Sequence, residues 1–289
     1  MHNYQENQPE NFPHPAHNQT PAAPVLPFAP NNPPWNSLMA FGAWVLSIFF
    51  LIVSTNLFVG VYFFTNNPGL SSTTEIQNFL TTDPTALLVQ ITSVIPAHIM
   101  TIILAWAIIT RFNKYSFTEM IGWRWGGFNI FYIIGIVVAF YAPAGLLTWY
   151  FGEQNHELTK ILKSSRSAVF IVAFMATFTA PLVEEVIYRG ILYSAFQRTF
   201  GVSPAVIAVT ALFAGVHFIQ YWNSPVALLL VTLLSLVLTL IRVKSGNLLP
   251  CIVLHTIFNG VQSLLLIVEP YVNRNTPSDT QAIVVYLLK

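Results

Sequence analysis

The stretch AVFIVAFMATFTAPLVEEVIYRGILYSAF, residues 168–196, is apolar enough to cross a bilayer, yet it carries Glu184, Glu185 and Arg189 near its middle. About 20 predominantly apolar residues suffice to span the hydrocarbon layer. A charge held at that depth costs roughly 2.5–3.5 kcal/mol on insertion scales. Three such groups in one membrane helix point to groups that are used.

The rest of the chain has the same character. Of 289 residues, 54% are hydrophobic and only 8% are charged. Soluble domains carry about 25% charged residues, so this chain could not cover a water-facing surface. The expected fold is all-α, a polytopic transmembrane helical bundle of about seven to eight spans. A formal net charge of +1 gives no sign of a nucleic-acid partner. Cys251 is the single cysteine, without a CxxC or Cys/His zinc spacing, and reads as a packing residue.

Residues 1–36 are rich in Pro, Asn, Gln and His, with few aliphatic residues. Such a segment lacks the apolar area to offset chain entropy, and it reads as a disordered tail. It has no Lys or Arg and no apolar core near its start, so it is not a signal peptide. His2, His14 and His17 read as solvated. Residues 37–289 form the transmembrane domain. Its apolar runs fall near 38–64, 86–110, 128–150, 168–196, 204–220, 225–243 and 248–268. The tail from Ile283 to Leu288 is apolar but too short to span.

Lys and Arg in short loops set orientation. Arg111, Lys114 and Arg124 cluster in one loop, and Arg242 and Lys244 in another, whereas the loop near 65–85 holds Glu75 and Asp83. Alternation places the N-terminus and the basic loops in the cytoplasm, with Lys160, Lys163 and Arg166 running against the rule. Short loops and the lack of a targeting segment fit a prokaryotic plasma membrane.

Glu185 and Arg189 are four apart and share a helical face, so they can pair and reduce the cost of burying both. Glu184 is rotated by about 100° from Glu185. One carboxylate is then structural and the other free for chemistry. Pro181 cannot donate to the carbonyl of Thr177, so the helix is expected to kink or open there. Phe213 and His217 are also four apart, a ring above an imidazole. His255 and Asn259, again four apart, make a polar edge of two hydrogen-bond donors, as an oxyanion site requires. His98 has no acidic neighbour and reads as structural. At the helical rise, Glu184 lies about 18 Å, His217 about 20 Å and His255 about 10 Å from the same expected side, the cytoplasmic one. Convergence in the middle or inner half of the bilayer is consistent with these depths.

The motifs Glu184-Glu185-Val-Ile-Tyr-Arg189, Phe213-Ala-Gly-Val-His217 and His255-Thr-Ile-Phe-Asn259, in this order and each in an apolar run, resemble the CPBP family of CAAX proteases and bacteriocin-processing membrane proteins. The resemblance covers a core at 165–268. It implies an intramembrane endopeptidase similar to the type II CAAX prenyl endopeptidases, acting at the bilayer on a peptide or a lipidated protein. Glu184 and His217 would activate water, and His255 and Asn259 would stabilise the oxyanion. Glu185, Arg189 and Phe213 would support the site, which would open on the cytoplasmic side. Family members usually show eight spans, against about seven runs here.

Two histidines and a glutamate could form a zinc site from Glu184, His217 and His255. HExxH is absent, however, and metal-independent glutamate chemistry is favoured, with no cofactor. Two other functions compete. One is a non-catalytic immunity or scaffold protein of the same fold. The other is a proton-coupled transporter, for which no internal repeat gives support.

Overall fold

The computed structural model describes residues 28–66, 69, 72–151 and 166–272. Nine helices carry the described chain: α1 (Ser37–Asn66), α2 (Thr73–Thr82), α3 (Pro84–Thr110), α4 (Phe117–Ile121), α5 (Ile130–Phe151), α6 (Arg166–Phe200), α7 (Val202–Phe218), α8 (Pro225–Ser245) and α9 (Leu249–Val272). Six of them contain a window long and apolar enough to cross a membrane, and α7 is a shorter apolar helix. Together they match the seven apolar runs read from sequence, and the fold is a polytopic helical bundle. The apolar tail from Ile283 and the basic residues Lys160 and Lys163 lie outside the described residues.

The helices show the inverted pattern of a lipid-solvated bundle. Leu38, Phe49, Ile52, Leu57 and Val61 face outward on α1, while its buried positions are Ala40, Ala43 and Ser54. Facing it, α3 buries Ala97, Thr101, Ala105 and Ile109 at four-residue spacing. Lipid is as apolar as leucine, so helices in a bilayer associate through close packing of small residues and a few hydrogen bonds. Both devices are present. Ser54 Oγ donates to the Ser93 carbonyl at 2.6 Å, tying α1 to the break between the two halves of α3.

The loop near 65–85 contains more than the sequence reading foresaw. Ser72 and Glu75 form a reciprocal capping box that starts α2. Asp83 then accepts from the Ala86 amide at 2.7 Å to start α3, where Pro84 fits because the first helical turn needs no N–H there.

Two packed clusters organise the interior. One joins α1, α3, α4, α6 and α7 around Trp35, Ile109, Tyr188, Ile191 and Phe213. The other joins α5, α8 and α9 around Ile133, Leu238, Leu254 and Phe258.

The N-terminal boundary differs from expectation. Residues 1–27 lie outside the described residues, but 28–36, read as tail, are packed on the bundle. Trp35 is 1% exposed. The stretch contains Pro30, Pro33 and Pro34, which have no backbone N–H. It therefore offers mainly acceptors, and distant arginines supply the donors. Arg242 donates to Asn31 Oδ1 at 2.7 Å and to the Pro30 carbonyl at 2.9 Å. Arg198 donates to the carbonyls of Pro33 and Trp35, and Arg111 to that of Pro34. Composition alone cannot register donors that lie far away in sequence. The result is a strap across the end of the bundle where α3, α6 and α8 finish.

Candidate active site

Helix α6 is not uniformly α-helical. Met175–Thr179 and Val186–Leu192 are wound as π-helix, and Ala180–Glu185 between them is α. Pro181 lacks the N–H that would bond back to Thr177, which fits the first widening and the opening expected there. Widened turns of this kind recur at functional sites. Here they bracket Glu184 and Glu185.

The two carboxylates meet different surroundings. Glu185 is fully buried, and its Oε1 accepts from Arg189 Nη1 at 2.9 Å and from His255 Nδ1 at 2.9 Å. Arg189, also fully buried, is held from α8 by the Ser235 carbonyl at 2.8 Å, Ser235 Oγ at 2.7 Å and Thr239 Oγ1 at 3.2 Å. Glu184 has a side chain 27% exposed, and its Oε2 lies 3.8 Å from His255 Nε2. His255 thus bridges the pair, with Nδ1 on the buried carboxylate and Nε2 facing the accessible one.

Phe213 is the packing centre of the cluster. Its ring lies 4.9 Å from the Arg189 guanidinium and 4.6 Å from the His217 ring, and its centroid is 6.3 Å from that of His255. His217 Nδ1 donates to the Phe213 carbonyl at 2.8 Å. A carbonyl can only accept, so Nδ1 carries the hydrogen and Nε2 keeps its lone pair in the neutral ring. His217 is half-buried and shares no hydrogen bond or ion pair with Glu184 among the described residues. Tyr221, in the turn after α7, stacks parallel to His217 with centroids 6.3 Å apart. Burial, with a smaller contribution from the Glu184 charge, holds the Tyr221 phenol above its ordinary pKa.

Asn259 lies one turn beyond His255 on α9 and donates through Nδ2 to the Ala176 carbonyl at 2.9 Å, inside the first π-wound segment. The second hydrogen on that nitrogen makes no hydrogen bond among the described residues and is the one an oxyanion could use. Nearby, Thr177 Oγ1 donates to Ser263 Oγ at 3.0 Å. His98, read as structural, is 3.1 Å from Thr179 Oγ1 through Nδ1. Cys251 is buried and directs Sγ at the Leu238 carbonyl, as a packing residue does.

Among the described residues no group of three His, Cys, Asp or Glu side chains is placed to hold a metal ion. The Nδ1 atoms of both histidines are engaged, one by Phe213 and the other by Glu185, which leaves Nε2 of each ring for the chemistry of the site.

Sequence reading also put the N-terminus and the opening of the site at one end of the bundle. The packing separates them. Ser37 Oγ is 2.7 Å from Thr199 Oγ1, so α1 starts where α6 ends and α7 begins. From Glu185 through Phe196 every residue of α6 is buried, which seals that end. His217 is roughly 22 Å along α7 from Val202, beside the exposed turn of Ile219 and Trp222. Glu184 is therefore reached from the end opposite the strap. Alternation and loop charge order the spans but carry no information on which end of a site is sealed.

Ser235 and Thr239 were not singled out from sequence, although two polar residues four apart in an apolar run are a readable signal. Trp44, whose indole donates to Tyr188 OH at 3.0 Å, gave no such signal.

Residues 166–261 match the family model described as type II CAAX prenyl endopeptidase Rce1-like. This segment is similar to that family. The match contains Glu184, Glu185, Arg189, Phe213, His217, His255 and Asn259. The likeness covers about a third of the chain and joins the six apolar helices in marking an integral membrane protein similar, over this core, to CAAX-type proteases. No curated protein and no solved structure matches the chain.

Proposed function

We propose that the chain is an intramembrane endopeptidase that cleaves a membrane-borne or lipidated peptide with water activated by Glu184 and His217. The supporting observation is the unequal setting of two adjacent carboxylates. Glu185 is sealed and bonded to Arg189 and His255, whereas Glu184 is partly open and, among the described residues, is paired with just an imidazole nitrogen 3.8 Å away.

In this reading Glu184 takes a proton from water while the Nε2 lone pair of His217 orients it. The new C–O bond places negative charge on the former carbonyl oxygen. Glu184 can pass its proton to His255 Nε2, since Nδ1 already bears the hydrogen shared with Glu185. The ring then donates to the oxyanion together with Asn259. Collapse breaks the C–N bond, and the same proton returns by way of Glu184 to the leaving amine. Arg189 and Phe213 hold the frame and take no part in proton transfer. Among the described residues no serine or cysteine is placed as a nucleophile, and in this scheme no acyl-enzyme forms.

A quenched prenylated CAAX-type peptide is the first substrate to try, because the matched family is described by that activity. Purified protein in detergent should cleave it with or without EDTA. Glu184→Gln should lower kcat by about 10²–10⁴-fold, the usual contribution of a general base, with unfolding unchanged. Full turnover by Glu184→Gln would remove Glu184 as the base. Loss of cleavage on chelation, restored by zinc, would overturn the metal-independent scheme.

A further inference from the structure

The strap does more than close one end of the bundle. Trp35 Nε1 donates to the Ile191 carbonyl at 3.0 Å, and Ile191 lies in the π-wound segment Val186–Leu192. The same segment contains Arg189, which holds Glu185, which holds His255. Trp44 grips it a second time through Tyr188 OH. A π-wound turn is a rare conformation inside an α-helix. It holds one residue more than the α-helical winding, so relaxation would turn one side against the other by about 100°. Arg189 could not then keep both Glu185 on its own helix and Ser235 on α8.

We infer that Trp35 is a positioning residue for the catalytic cluster, holding Val186–Leu192 in its widened winding so that Arg189 and Glu185 aim His255 at Glu184. The arginines behind it fix the indole. Arg198 bonds the Trp35 carbonyl at 3.1 Å, and Arg111 bonds the preceding Pro34 carbonyl. The strap is thus a remote part of the site, separated from Glu184 by the sealed half of α6. This inference rests on the proposed protease reading for its effect on turnover, but not for its effect on the helix.

The test is Trp35→Phe, which keeps an aromatic ring in the buried position while removing the indole donor and part of the ring volume. Trp35→Ala is set aside because it risks misassembly. Turnover and backbone hydrogen–deuterium exchange are followed together in the full-length protein in detergent. The expected result is a kcat lower by about 3–10-fold, the loss of one buried hydrogen bond, with KM within about twofold. Exchange should rise in peptides covering 187–196 and stay unchanged in peptides from α8. A purely structural role would lower Tm while leaving kcat, measured well below Tm, at the wild-type value. Unchanged exchange at 187–196 overturns the inference whatever turnover does. If the wild-type protein cleaves nothing, the protease reading fails, and the exchange result still decides whether Trp35 holds the widened segment.

Discussion

The strap end and the mouth end of this bundle both bind charged groups into the fold, and they do so differently. At the strap, Arg242, Arg198 and Arg111 come from separate parts of the chain and converge on the carbonyls of one proline-rich stretch. At the mouth, Glu184 has an exposed edge and an imidazole nitrogen 3.8 Å away, beside Glu185, whose Oε1 takes both Arg189 and His255 while its buried Oε2 has no hydrogen-bond partner among the described residues. Charges bonded into the frame serve structure. A charge left partly open beside such a frame is available for chemistry.

The sharpest way to break this comparison is topological. Cys251 is the only cysteine and is buried, so single cysteines can be placed in an unreactive background. Phe28→Cys at the strap and Gln220→Cys in the turn after α7 should label with an impermeant maleimide from opposite faces of oriented membranes. Labelling of both from one face would show that the mouth and the strap share a side.

Next in size is the contrast within the carboxylate pair. Glu184→Gln should remove about 10²–10⁴-fold of kcat and leave assembly intact. Glu185→Gln should chiefly lower stability, since it leaves a buried guanidinium without its counter-charge, and should lower turnover only through the loosened hold on His255. A cost of about 3–5 kcal/mol is usual for breaking a buried pair, read as a lowered unfolding midpoint in detergent. If both variants behaved alike, the division between framework and base would be wrong. The smallest effect should come from Ser235→Ala. It removes one bond to Arg189 while the Ser235 carbonyl continues to accept, and should cost about 1 kcal/mol of stability.

What could be read from the sequence follows from the range of each signal. The seven apolar runs were legible because hydropathy is local. The Glu185–Arg189 pair was legible because four-residue spacing fixes a shared face. Pro181 announced an irregularity in α6, but not the second widened segment beyond Glu185, which contains no proline. The bridge made by His255 between Glu184 and Glu185 was not legible, since α9 and α6 are joined only by packing. Nor was the engagement of Asn259 with Ala176. The strap was misread for the same reason. Its composition resembles disorder until arginines more than 70 residues away are brought to it.

The strap has a chemical consequence for how the protein meets changes in its surroundings. Its main bonds join guanidinium to amide oxygen, and neither partner gains or loses a proton between about pH 4 and pH 10. Acidification over that range therefore leaves the latch that shapes the helix of the reacting groups fastened.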